Sequence, residues 1–135
     1  MKRRIYKMSN LNTIITVKGR ENMAKGRAGL ITMPTIAGMA FGDGGADSGG
    51  TPIAPTVNQS TLTNELYRKA ITSSEMISST TCRYYCTLST SELVGESISE
   101  IGLYDTNGDL VCIKTFIPKG KDGDTEQTYV IDDAF

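Results

Sequence analysis

The sequence has no histidine. That one absence removes imidazole bases, histidine-based catalytic triads and histidine metal sites. It has no tryptophan either. No segment approaches the ~18 consecutive apolar residues of a membrane-spanning helix, so no membrane partner is expected. The start is basic, but "LNTIITV" is too short and too polar for the apolar stretch of a secretory leader. No small-residue cleavage site follows it. The expectation is a chain synthesised and kept in a cytoplasm until it is assembled or released. Cysteine is scarce, and the three present cannot all pair within one chain. Cys82 and Cys86 lie four apart in a strand-like run, which separates them by about 13 Å at ~3.3 Å per residue. A disulfide needs Cα atoms within ~7 Å. All three read as reduced, mostly buried thiols.

The 135 residues fit one domain with a modest core. The net charge of −1 points away from polyanion binding, so no nucleic-acid partner is expected. Lys2, Arg3, Arg4 and Lys7 do cluster, and residues 1–12 read as a flexible basic N-terminal arm that is solvated. The folded domain is then expected over residues 13–135.

Thr16 is a candidate N-cap for a helix through "VKGRENMAKGRAG". Val17, Ala24 and Ala28 lie near one stripe with Met23 beside it, and Gly29 is placed to end the helix. Gly19 and Gly26 weaken it by ~1 kcal/mol each relative to alanine. "LITMPTIAGMAF" reads as one or two strand pieces, with Pro34 at an edge or bend. "GDGGADSGGTPIAP" is a long glycine-rich loop. "TVNQSTLTNELYRK" offers a second short helix from about Gln59 to Leu66, with Asn58 as its cap. The rest reads as strand. "TCRYYCTLS" alternates, with Cys82, Tyr84, Cys86 and Leu88 on one face. "EQTYVID" forms a last strand. The expected fold is α+β: an antiparallel β-sheet with one N-terminal helix, a second short helix and a long glycine-rich loop.

"ISEIGLYDTNGDLVCIKTF", Ile98 to Phe116, reads as a hairpin with apolar residues on both faces. A two-residue turn on Asn107-Gly108 places Leu103 opposite Cys112 and Ile101 opposite Lys114. A three-residue loop, Thr106-Asn107-Gly108 with Gly108 left-handed, places Leu103 opposite Val111, Ile101 opposite Ile113 and Glu100 opposite Lys114. Matched cross-strand pairs are worth ~0.2–1 kcal/mol each, which favours the second register. One face is then Ile101, Leu103, Val111 and Ile113, assigned to the core. The other carries Ile98, Tyr104, Leu110, Cys112 and Phe116, with Glu100 and Lys114 as a polar pair. Gly102 leaves room for a close backbone approach. Either the helices cover that second face, or another subunit does.

No motif carries chemistry. "FGDGG" lacks the lysine and spacing of a P-loop. Asp105, Asn107 and Asp109 alternate like calcium ligands, but Phe116 stands where an EF-hand needs glutamate. Glu92, Glu96 and Glu100 offer carboxylates for sugar hydrolysis, yet read as solvated turn residues. No enzyme, cofactor or metal is expected.

"MAFGDGG", "LTNELYRK", "ISEIGLYDTNGDLVCIKTF" and "KGKDGD" occur in a fixed order. Together they resemble the N-terminal collar domain of phage tail fibres, the phage tail-collar fibre family of contractile-tailed phages and R-type bacteriocins. The resemblance covers roughly residues 13–135. It implies a structural virion protein that attaches a fibre to the baseplate of a contractile tail. It also implies a homo-oligomer, specifically a trimer, whose partners are baseplate proteins and a distal tail fibre protein. The chain stops at Phe135 with no shaft or receptor-binding tip, which suggests a separate adaptor. The alternative is a host receptor- or glycan-binding module. The residues expected at the interface are Phe41, Gly42 and Asp43 from the glycine loop, and Tyr67 and Arg68 from "LYRK". The hairpin adds Ile98, Gly102, Tyr104, Leu110 and Phe116. The glycine loop is expected to order on assembly.

Overall fold

A computed structural model describes residues 2–135. The elements in chain order are β1 (Lys2–Tyr6), β2 (Thr13–Ile15), α1 (Val17–Arg27), β3 (Ile36–Gly42) and β4 (Glu65–Ala70). They continue with β5 (Ser73–Ser78), β6 (Thr81–Leu88), β7 (Ser97–Asp105), β8 (Leu110–Gly120) and β9 (Thr125–Ala134). The strands form two sheets, ordered β1-β9-β6-β5 and β2-β8-β7-β3-β4. All described pairings are antiparallel except β1 with β9. The chain crosses between sheets at both edges, from β1 to β2 and from β4 to β5.

The fold is therefore mostly β rather than α+β, with two sheets where one was expected. Its core lies between them. Cys86, Leu88, Tyr129 and Ile131 come from one sheet, and Met39, Phe41, Ile101, Leu103 and Cys112 from the other. Tyr129 is the central ring, 5.4 Å from Phe41 edge-on and 5.9 Å from Phe116. The three cysteines are free, with Cys86 and Cys112 buried.

α1 begins where expected. The Thr16 hydroxyl accepts the Gly19 N–H at 3.0 Å and donates to the Leu110 carbonyl at 2.9 Å, tying the helix start to β8. Its end is a Schellman turn: Leu30 N–H reaches the Lys25 carbonyl at 2.9 Å, around Gly29 at φ +75°. The buried face differs from the expected stripe. Gly19 and Asn22 are buried, while Val17, Ala24 and Ala28 are exposed. A Cβ at Gly19 would lie 2.7 Å from the Val111 carbonyl oxygen. The glycine that weakens the helix is the one that lets it dock.

The second short helix is absent among the described residues; the chain is irregular from Asn58 to Asn64 and then enters β4. The Gln59 side chain is spent on the Thr56 N–H and the Thr61 carbonyl. Thr63 and Asn64 give their N–H groups to the Glu100 carboxylate instead of to carbonyls four residues back. Residues 2–6 are also not a loose arm. They pair with β9 from Lys2 opposite Thr125 to Tyr6 opposite Tyr129. The Tyr6 ring packs 5.2 Å from Tyr129, and Arg3 meets Glu126 at 2.9 Å. Charged residues on such an edge discourage stray strand pairing.

The hairpin combines both readings of its turn. The loop is the three-residue one, closed by the Asp105 N–H to the Asp109 carbonyl at 3.0 Å, with Gly108 at φ +82°. Tyr104 then faces Leu110, but a bulge follows, and Leu103 lies opposite Cys112 and Ile101 opposite Lys114. Val111 is the extra residue. The slip moves Cys112 into the inner core and turns Ile113 outward, where it meets Ala40, Leu62 and Leu110. The outer face is thus covered by the chain's own residues, with Leu62 as the plug.

Candidate docking surface

Glu100 organises this side of the molecule. It is fully buried. Its carboxylate accepts the N–H groups of Gly44 at 2.9 Å, Thr63 at 2.8 Å and Asn64 at 2.9 Å. Beside it, the Ser99 hydroxyl accepts the Gly45 N–H at 2.9 Å. Glycines are required here by space: a Cβ at Gly42 would meet Glu100 Oε2 at 2.5 Å, and one at Gly45 the Ser99 carbonyl at 2.1 Å. Three segments far apart in sequence, around Gly44, Asn64 and Glu100, close on one carboxylate. The glycine loop therefore takes its shape within the single chain. Asp47 helps by accepting the N–H groups of Gly49 and Thr51.

The three-residue register implies a Glu100–Lys114 pair, but Glu100 lies opposite Thr115. Lys114 instead donates to the Ser9 carbonyl at 2.6 Å. Burial pushes its ammonium below the ordinary lysine range, with Asp132 pulling the other way. A sequence signal for Glu100 existed: a carboxylate in mid-strand, between Ile98 on one side and Ile101 and Leu103 on the other.

Two clusters flank this hub. On the outer face, the Arg68 guanidinium sits 4.7 Å from the centre of the Tyr104 ring. Arg68 also bonds Glu65 at 2.8 Å and the Gly108 carbonyl at 3.0 Å. The Tyr104 ring lies across Gly38, where a Cβ would come within 2.1 Å of its hydroxyl. At the sandwich edge, Glu92 accepts from the Lys69 ammonium at 2.6 Å, the Ser89 N–H at 2.7 Å and the Tyr67 hydroxyl. Burial pushes the Glu92 carboxyl up, but those three donors outweigh it and hold it at about 2. Glu92 is a clamp between β4 and the turn after β6, not a solvated turn residue.

The expected interface residues divide accordingly. Phe41, Ile98, Leu110 and Phe116 are buried within the chain, as are Gly42 and Gly102. The bulge and the second sheet put them there, so they present nothing to a partner in this fold. Asp43 is exposed and takes the Asn64 amide at 2.7 Å. Tyr67, Arg68 and Tyr104 remain at the surface in whole or part. Arg68 and Tyr104, with Glu65, form an aromatic and arginine cluster on the outer face that spans β4 and β7, while Tyr67 turns to Glu92 on the other side.

Among the described residues no cluster of three or more acidic or cysteine side chains could hold a metal. The Asp105 carboxylate is used by the Asn107 and Asp109 N–H groups and by the Asn22 amide. It shapes the turn and anchors α1. No helix of the described residues is long and apolar enough to cross a membrane.

A family model described as phage tail-collar fibre protein, N-terminal, matches residues 8–129. The chain belongs to this family. No curated protein and no solved structure gives a significant match. Membership makes this collar domain a structural component of a phage tail, and so of a virion. The three segments that carry the sequence resemblance near its middle are the ones Glu100 holds together in the collar domain.

Proposed function

We propose that the chain attaches a fibre to the baseplate of a contractile tail, acting as a homo-oligomer, a trimer by family resemblance. Its partners are then baseplate proteins and a distal fibre protein, and its work is binding. The supporting observation is the Arg68–Tyr104 stack, which reaches from the edge strand β4 to β7 across the outer face of the sheet. Arginine and tyrosine are the side chains enriched at the energetic centres of interfaces. The rigid backing from Gly38 and the Glu100 hub presents them with little ordering left to do on binding.

Immunogold electron microscopy of particles from producing cells, with antibody against this chain, tests the reading. Gold at the end of the tail supports it. Particles without gold, with the protein free in the lysate, refute it and favour a host- or glycan-binding module instead. A glycan array separates that case, since an attachment module binds no glycan on it.

A further inference from the structure

The inner face of β9 carries Tyr129 and Ile131 in the core, and the next residue on that face is Asp133. It is a carboxylate in the position of a core side chain. Asp133 is only 9% exposed. No donor or cation among the described residues meets it, and burial alone moves its carboxyl, up to about 6. Its neighbour Asp132 faces the other way and is fully engaged, by Arg83 at 2.7 and 3.1 Å and Asn10 at 3.3 Å.

Asp133 lines a cleft of about 320 Å³ at the open end of the sandwich, between α1, the segment before β3, and β9. The other walls are largely apolar, including Met23, Met33, Ile36 and Val111. Methionines adapt to varied shapes. The titratable neighbours of the carboxylate are Tyr84 and Cys112, which feel its charge, and Asp105 on the cleft wall. None supplies a positive charge. Asp105 is already taken by Asn22 and two backbone N–H groups.

We propose that this cleft receives a lysine or arginine side chain from another polypeptide, its aliphatic stem against the methionines and its cationic head on Asp133. The arguments are charge complementarity and shape. The Asp133 side chain is largely buried, and its oxygens, which keep only slight solvent contact, meet no donor among the described residues. Ionising such a group is costly, and the group that relieves it is a cation on an apolar stem. The size suits one side chain with its flanking backbone, at the small end of ligand pockets. A neighbouring tail protein is the natural donor, but the proposal does not rest on the attachment reading.

The test uses the full chain, isotopically labelled, with n-butylguanidinium as probe and n-pentanol as its uncharged counterpart. At pH 7 the cation is expected to shift the amide resonances of residues lining the cleft, with at least about tenfold higher affinity than the alcohol. In D133N that preference is expected to vanish. Saturating probe is also expected to lower the Asp133 carboxyl titration by about one unit or more. Equal affinity for cation and alcohol would mean a mere apolar crevice and overturn the proposal. So would shifts confined to other sites, no shift at all, or a preference that survives in D133N. The probe reads the cleft without any tail protein, so failure here leaves the attachment proposal standing, and the reverse also holds.

Discussion

Glu100 accepts the backbone N–H of Asn64 at 2.9 Å, across 36 residues of sequence. With the bonds to Gly44 and Thr63, it satisfies three N–H groups that the irregular segment cannot pair internally. Glu100→Ala should cost about 2–4 kcal/mol, because each orphaned donor carries a desolvation penalty of ~1–3 kcal/mol and the segment relaxes partly into water. Glu100→Gln keeps the volume but turns one acceptor into a donor, and should cost about half as much. Urea unfolding gives the free energies. Hydrogen exchange should show protection lost first over residues 43–64. Unchanged stability in Glu100→Ala would show that the carboxylate does not hold these segments together.

Gly19→Ala separates helix propensity from packing by the sign of its effect. Propensity alone promises a gain of about 1 kcal/mol. The added Cβ, however, would stand 2.7 Å from the Val111 carbonyl oxygen and 2.9 Å from Val111 Cβ, in a backbone already tied by Thr16. Overpacking of that kind costs about 1–3 kcal/mol, so a net loss is expected on thermal melting. Gly29→Ala should also lose about 1 kcal/mol, for a different reason. Nothing lies within 4 Å of its Cβ, but φ is +75°. Asparagine tolerates that conformation, so Gly29→Asn should recover part of the loss, while Gly19→Asn should not.

These glycines also show where the sequence was legible and where it was not. Thr16, Gly29 and the three-residue turn at Gly108 are local signals, and all appear in the structure. The strand of "TCRYYCTLS" follows its alternation, with Cys86 and Leu88 in the core. Which face of α1 is buried was not local, since Asn22 is drawn inward by Asp105 and Asp109 on a hairpin more than eighty residues away. The hairpin register depended on one bulged residue, Val111, that no pairing rule placed. The supposed helix after Asn58 failed because its donors are spent on Glu100. Phe41, Ile98 and Phe116 are apolar enough for an interface, but the second sheet, which no local pattern announces, buries them in the core.

Phe116→Ala is therefore a poor probe of attachment, and Arg68→Ala a good one. Phe116 is 4% exposed against Tyr129, and truncating a core phenylalanine costs about 3–5 kcal/mol. Arg68 and Tyr67 stand at the surface, where truncation costs about 1 kcal/mol or less. Arg68→Ala and Tyr104→Ala are expected to leave secondary structure by circular dichroism intact and to reduce incorporation into tails, scored by gold labelling of particles. Full incorporation of both folded variants would move the docking surface elsewhere.

Glu92 ties Tyr67, Lys69 and Ser89 together, and its carboxyl is held at about 2 against an ordinary 4.5. A lowered carboxyl favours the folded state at any pH above the unfolded value, and that contribution disappears as pH falls through the folded one. Wild type should thus exceed Glu92→Gln in melting temperature by a constant margin above pH ~5. The gap should narrow from about pH 4.5 towards pH 2. A gap that persists at pH 2 would show that shape, not charge, makes the clamp.

Asp133 should behave in the opposite sense. Its carboxyl is raised to about 6 from an ordinary 3.8 by burial alone. The folded state then holds its proton more tightly than the unfolded state, so this group favours folding at low pH and disfavours it once ionised. The penalty is absent below about pH 3.8, grows between there and about 6, and is complete above. Asp133→Asn should accordingly melt higher than wild type at pH 7 and level with it near pH 3.5. Adding n-butylguanidinium to wild type at pH 7 should recover part of that difference, and should do nothing for Asp133→Asn. A variant no more stable than wild type at pH 7 would mean that the carboxylate already has its partner within the chain, and the cleft would lose its reason to bind a cation.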